Sequence, residues 1–258
     1  MTVANFLEKV AEFKAAGVAV QSESYAIAAE EGLYIDSLYV PATAEQTNLI
    51  VLTTGVHGIE GYIGSVMLDV FWKEVYPSLN AENTGVLVVA NVNPYGMKYH
   101  RRYNENNVDL NRNFPVKKFN VGGKKGAEGY SGPKALSEPE TVAVANLTKK
   151  LKKEKKLCGV INYHAMGNII YGSCESRKIS KDTKTMYRIA KAETGYKRAI
   201  SSNSTSPGGQ YREYVMYMLN LPSITIEVGS TSAPCSYWQY EPEFQKNKLV
   251  VLKIAKAL

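Results

Sequence analysis

The sequence predicts an α/β fold: a mixed, mostly parallel central sheet with helices on both faces, in a single domain spanning residues 1–258. Three observations predict it. Short β-branched runs alternate with longer amphipathic stretches, as strands joined by crossover helices do. The apolar runs are short enough for buried strands and too short for buried helices. No internal repeat or Pro/Ser-rich linker divides the chain, and a hydrophobic content of 45% suffices for a sizeable core.

The N-terminal stretch MTVANFLEKVAEFKAAG carries its charges at helical spacing, so it reads as an amphipathic helix and not as a cleaved leader. NLIVLTT (48–54) is the first buried strand, and EGYIGSVMLDVFWKEVY (60–76) is a helix directly after it. VLVVANV (86–92) is the next strand. A polar stretch then leads to SEPETVAVANLTKKLKKE (137–154), a helix whose Ser137 and Glu140 spell a capping box, with Pro139 in its first turn. LCGVINY (157–163) and SITIEV (223–228) are strands; SKDTKTMYRIAKAET (180–194) and EFQKNKLVVLKIAKAL (243–258) are helices. In such sheets ligands bind beyond the carboxyl ends of the strands, so polar residues there deserve scrutiny.

Composition narrows the functional classes. No apolar run approaches the roughly 18–20 residues that span a bilayer, so no membrane role is expected. Cys158, Cys174 and Cys235 are scattered and form no C-x-x-C pair, which argues against a disulfide framework or a Cys-rich metal site. A reduced compartment, the cytoplasm, is expected. The net charge of +7 is concentrated in KKFNVGGKK (117–125) and KKLKKEKK (149–156). These read as a basic loop and a solvated helix face; the sharper reading is attraction to anionic substrates such as cell-wall fragments or acidic peptides. Almost no aromatics interleave the basic stretches, and nucleic acid is not an expected partner. Oligomeric state is left open.

The residues with chemical potential sit at predicted strand ends. His57-Gly-Ile-Glu60 directly follows the strand 48–54, and a His and a carboxylate three apart can converge on one metal. His164 ends CGVINYH, so two of only three histidines lie at carboxyl ends of strands. Two nitrogens and one carboxylate leave an open position, the pattern of a catalytic zinc rather than a structural one. His100 falls in a polar loop and is assigned no role. RRYNENNVDLNRNFP (101–115) packs arginines and amides into one short stretch, suited to planar carboxylates or a developing oxyanion. Glu227 closes an apolar strand, a costly place for a carboxylate unless it is paired or functional; beside a metal it could be a general base.

These pieces, in this order, resemble the M14 family of zinc carboxypeptidases. The matching elements are His57/Glu60, NVDLNRNF (107–114), YSGPKALSEPET (130–141), His164 and Glu227, and the resemblance runs from about residue 48 to 230. It implies one zinc ion on His57, Glu60 and His164. It implies that Asn111 and Arg112 hold a terminal carboxylate, that Arg102 polarises the scissile carbonyl, that Asp109 orients His57, and that Glu227 is the catalytic base. The substrate class it implies is a peptide or peptidoglycan-derived peptide, cut by a metallocarboxypeptidase or murein-peptide amidase.

The sequence departs from the family in two places. The mobile tyrosine of digestive members has no counterpart in SSNST, ahead of SPGGQYREY (206–214), as in some bacterial members that process cell-wall peptides. Arg212 falls where the family sets side-chain preference, which implies a taste for Asp, Glu or diaminopimelate ends. Two other readings stay open. One is an N-acyl amino acid deacylase of the aspartoacylase/succinylglutamate desuccinylase kind, although HAMG after the third ligand is less like its relatives' spelling. The other is a non-catalytic module that binds anionic polymers. A second metal also stays open.

Overall fold

Eight strands build one sheet in the computed structural model, which describes residues 3–42, 45–60, 74, 78, 83–117, 119–127, 129–154, 157–174, 178–201, 209–230 and 239–258. They are β1 (Gln21–Ala28), β2 (Leu33–Val40), β3 (Asn48–Thr53), β4 (Thr84–Val89), β5 (Leu157–His164), β6 (Ile169–Cys174), β7 (Lys197–Ser201) and β8 (Ser223–Glu227). Their spatial order is β1-β2-β4-β3-β5-β8-β6-β7. The centre, β4-β3-β5-β8, is parallel. β1 and β2 close one side in antiparallel pairing. On the other side β6 runs antiparallel to β8 and parallel to β7. The expected mixed, mostly parallel sheet is thus present, with its carboxyl ends aligned where β3, β5 and β8 terminate.

Side-chain alternation gives the sheet two faces. One carries Ile50, Leu52, Ile161, Tyr163, Ile170, Ile224 and Ile226. It is covered by α1 (Val3–Ala15), by α4 (Lys181–Thr194) and by the C-terminal helices. The other carries Leu49, Val51, Leu87, Val89 and Val160 under α3 (Pro139–Glu154) and α5, a short turn Tyr211–Glu213 running into the wider π turn Tyr214–Met218. The remaining helices are α2 (Pro94–Lys98), α6 (Tyr240–Asn247) and α7 (Val250–Ala257).

All four predicted strands belong to the parallel centre. The four flanking strands carry weaker signals. β1 is mostly exposed, and β2 interrupts its apolar pattern with buried Asp36 and Ser37. Asp36 is accommodated by a 2.7 Å hydrogen bond from the Ser24 hydroxyl of β1. The helix expected over 60–76 lies outside the described residues apart from positions 60 and 74. The single helix expected over 243–258 is two. The break follows Asn247, whose buried side chain donates to the Glu243 carbonyl and to the Tyr196 hydroxyl, competing with the helical ladder. Among the described residues no helix is long and apolar enough to cross a membrane.

The capping box expected at Ser137 and Glu140 does not form. The Ser137 hydroxyl donates to Glu138 Oε1 at 2.6 Å, and Glu140 turns inward, where Asn104 Nδ2 donates to its Oε2 at 3.2 Å. Asn104 also donates to Glu138 Oε2 at 2.7 Å, so one amide bridges two buried carboxyls. Burial, with Glu138 and Glu105 adding to it, pushes the Glu140 carboxyl up to about 7. Its folded value lies above its ordinary value of 4.5, so the stability contributed by the protonated form is full below 4.5 and lost as pH rises through about 7. Glu140→Gln is therefore expected to raise the stability at pH 8 by on the order of 2 kcal/mol, with a higher melting temperature there, and to leave both unchanged near pH 4.5. Thermal melts of both proteins across that range check this; equal melting at pH 8 refutes it.

Candidate functional site

The ends of β3, β5 and β8 meet at one cluster. Beyond β3 the chain is laced to the segment after β4: Val92 N–H donates to the Thr54 carbonyl and Asn93 N–H to that of Gly55. Gly55 takes φ +68°, a left-handed turn that suits glycine. His57 follows, then the tight turn Gly58–Glu60. A Cβ on Gly58 would stand 1.9 Å from the backbone carbon of Gly96 in α2, so only glycine allows the turn to seat against that helix. His164 ends β5, and in the sheet register its partner is Glu227, the last residue of β8.

His57, Glu60 and His164 are buried, and one donor atom of each lies within 4.8 Å of the others. His57 Nδ1 is 2.5 Å from Glu60 Oε1, and His164 Nδ1 is 2.8 Å from Glu60 Oε2. Both imidazoles thus aim the same ring nitrogen at one carboxylate. On the far side of its ring, His57 Nε2–H donates to Asp109 Oδ1 at 3.1 Å, so a metal entering between His57 and Glu60 would take the place of the Nδ1 proton. His164 Nε2 lies 2.9 Å from the buried side-chain amide of Asn162, itself held by the Thr53 hydroxyl at 2.7 Å. With its oxygen taking the Thr53 hydroxyl and its nitrogen toward Nε2, that amide holds the ring from the side away from Glu60. Two imidazole nitrogens and a carboxylate, oriented by outer hydrogen bonds, suit a divalent ion such as zinc.

Electrostatics follow from this packing. Burial alone would lower the His57 pKa, but Glu60 and Asp109 outweigh it and lift the imidazole to about 9. Burial would raise Glu60; the two histidines outweigh it and hold the carboxyl down to about 2. Asp109 is held far below the carboxylate range by His57, Arg102 and Arg112 despite its burial. Glu227 goes the other way. Burial and the nearby Glu60 raise it above its ordinary range, against the pull of His164, His57 and Arg102. A partly buried carboxyl with elevated basicity thus faces the ligand cluster.

The polar loop 101–115 forms the opposite wall. Asp109 caps the turn Leu110–Arg112 by accepting from Asn111 N–H at 3.1 Å. Its Oδ2 accepts from Arg102 Nε at 3.3 Å and Nη2 at 3.1 Å, while Arg102 Nη1 stands 3.9 Å from Glu60 Oε1. Asn111 Oδ1 accepts from Tyr211 N–H at 3.1 Å, and Arg112 Nη1 donates to the Asn111 carbonyl at 2.8 Å. Arg212 is buried, with Nη2 3.2 Å from Gln210 Oε1 and 3.9 Å from Glu213 Oε1. The structure therefore gathers His57, Glu60, His164, Asp109 and Arg102 into one contact network. It sets Glu227 beside His164 in the register and ties Asn111 and Arg112 to the turn that bears Arg212. His100 is exposed and outside this network.

Three asparagines complete the site without having been singled out in the sequence. Buried Asn93 caps α2 through Gly96 N–H and donates to the Arg102 carbonyl at 3.2 Å. Buried Asn113 ties the loop to Ser131, Lys134, Ser137 and Thr141. Asn162 had a readable signal: it stands two residues before His164 in an otherwise apolar strand, hence on the same face. The segment SSNST falls largely on undescribed residues.

A family model described as a protein of unknown function, DUF2817, matches residues 4–213. The chain belongs to this family. It is also similar to the gamma-D-glutamyl-L-diamino acid endopeptidase 1 of Lysinibacillus sphaericus, at 27% identity over 147 residues, or 55% of this chain and 35% of that protein. Murein peptide amidase A of Escherichia coli K12 is 33% identical over 138 residues, 48% of this chain and 51% of that protein. The DUF2817 chain thus spans about half, or less, of the length of these curated relatives. Among solved structures, bovine thrombin-activatable fibrinolysis inhibitor superposes with a TM-score of 0.78 at 19% identity, covering 98% of this chain and 95% of that one. That likeness speaks to the fold, which is the metallocarboxypeptidase fold of the M14 resemblance.

Proposed function

We propose that this DUF2817 protein is a zinc-dependent hydrolase, with residues 1–258 forming one catalytic domain. It cleaves an amide bond next to a free carboxylate in a peptide derived from peptidoglycan. The observation that carries the reading is the convergence of His57, Glu60 and His164 with Glu227 in register beside His164. The two curated relatives, named for action on murein-type peptides, support the substrate class.

His57, Glu60 and His164 would hold the ion, which supplies a Lewis acid for the carbonyl and lowers the pKa of the attacking water. Glu227 accepts a proton from that water and returns it to the departing nitrogen; its raised basicity suits a group that must both take and give. Arg102, braced by Asp109, donates to the oxygen on which negative charge develops. Arg112 and Asn111 grip the terminal carboxylate and fix the scissile bond over Glu227. Cys158, a free thiol donating to the Leu49 carbonyl, fits the cytoplasmic location we assign.

The decisive experiment offers zinc-loaded protein a defined library and identifies products by mass spectrometry. The library contains γ-D-Glu-diaminopimelate peptides, ordinary peptides with varied C-terminal residues, and N-acyl amino acids. The expected result is release of a C-terminal amino acid or short fragment from the peptides, blocked by chelator. Turnover of the N-acyl amino acids alone would move the protein to the deacylases. Absence of turnover on every member would leave only a binding role.

A further inference from the structure

Next to Glu227 in the sheet stands a phenol that neither the motifs nor the mechanism uses. β6 runs antiparallel to β8 with Ile169 opposite Glu227 and Tyr171 opposite Thr225. Ile170, Ile224 and Ile226 belong to the apolar core on one face of the sheet. Alternation therefore puts Tyr171, Thr225 and Glu227 together on the other face, the face of Asn162 and His164. Tyr171 is the diagonal cross-strand neighbour of Glu227, within reach for an aromatic side chain.

The surroundings of Tyr171 are charged. The buried Arg212 guanidinium lies 5.5 Å from the centre of its ring. The charges that act on its hydroxyl are those of Glu227, Arg212 and Arg112; burial is the largest influence and, with Glu227, raises its pKa. The hydroxyl thus stays a protonated donor at neutral pH. Tyr171 is only part-buried, so the group remains within reach of a bound molecule. A phenolic donor stacked on a buried guanidinium is suited to a ligand carboxylate that takes a hydrogen bond from one and the charge of the other.

We infer that Tyr171 is a specificity-determining residue whose hydroxyl, together with Arg212, receives the side-chain carboxylate of the amino acid released from the substrate. The ligand class is an amino acid with a second carboxylate, such as glutamate or diaminopimelate. This rests on the reading that the pocket receives the carboxyl-terminal residue of a peptide. It adds a named hydrogen-bond donor that separates a carboxylate from its amide.

The test uses Tyr171→Phe, which keeps the ring over Arg212 and removes only the hydroxyl; its melting temperature is compared with that of the parent. L-Glutamate and L-glutamine are titrated calorimetrically into both zinc-loaded proteins, and kinetics are measured on matched peptides ending in Glu or Gln. The parent is expected to bind glutamate more tightly than glutamine. The variant is expected to lose about 10-fold in glutamate affinity and in KM for the Glu peptide, with glutamine affinity and kcat unchanged. Equal affinities in parent and variant, an equal loss for both amino acids, or no glutamate binding by the parent overturns the inference. Loss of glutamate affinity without cleavage of any peptide would sustain the role of Tyr171 and sink the hydrolase reading. Cleavage with no Glu-over-Gln preference would do the reverse.

Discussion

Glu227→Gln is expected to lower kcat by about three orders of magnitude while leaving zinc stoichiometry and melting temperature near those of the parent. The glutamine keeps the volume and one acceptor oxygen but cannot take a proton from water. Glu227 is not among the three converging ligands, so metal binding should survive. Its place at the end of β8 is fixed by pairing with β5 and β6, so the fold should survive too. Steady-state kinetics on the best substrate, with metal analysis of the same preparation, check both halves. Retained turnover would remove Glu227 from the role of base; lost zinc would make it a ligand.

Metal removal is expected to have the second large effect. Dialysis against a chelator should take turnover to background, and stoichiometric zinc should restore it. Glu60→Gln should behave like the chelated protein, because a neutral amide replaces the one carboxylate on which both imidazoles converge. The expected loss of zinc affinity is at least about 100-fold, the upper range seen for residues that only orient ligands. Inductively coupled plasma analysis and a competition titration read the affinity. Full activity in chelated protein would exclude a metal-dependent mechanism.

The site was legible in the sequence where strand ends announced it. His57, His164 and Glu227 each follow an apolar run, and a parallel centre brings such ends together. Asp109, Arg102 and Arg112 share one short polar stretch and arrive as a unit. Less visible were residues whose partners are remote in the chain. Thr53 meets Asn162 across 109 positions, so the polar signal at Asn162 does not name its partner. Tyr171 was hidden for a related reason. The face it occupies depends on β6 running antiparallel to β8, a reversal that crossover logic does not foresee. Glu140 misled because its spacing from Ser137 fits a local cap, whereas burial against Asn104 offered a competing bond. The outer strands β1 and β2 were passed over because exposure on one and buried polar residues on the other blur the apolar signal.

The place of β8 has a further consequence. It is the last strand among the described residues, yet it lies inside the sheet between β5 and β6, both made earlier. During synthesis, β6 and β7 have no edge of the growing sheet to join until β8 arrives. The ligand-bearing ends of β3 and β5 can pair beforehand, but Glu227 enters with the strand that closes the gap. A nascent chain would therefore carry His57, Glu60 and His164 before it carries Glu227. The Glu227 side of the site therefore cannot be assembled before β8 has paired with β5 and β6.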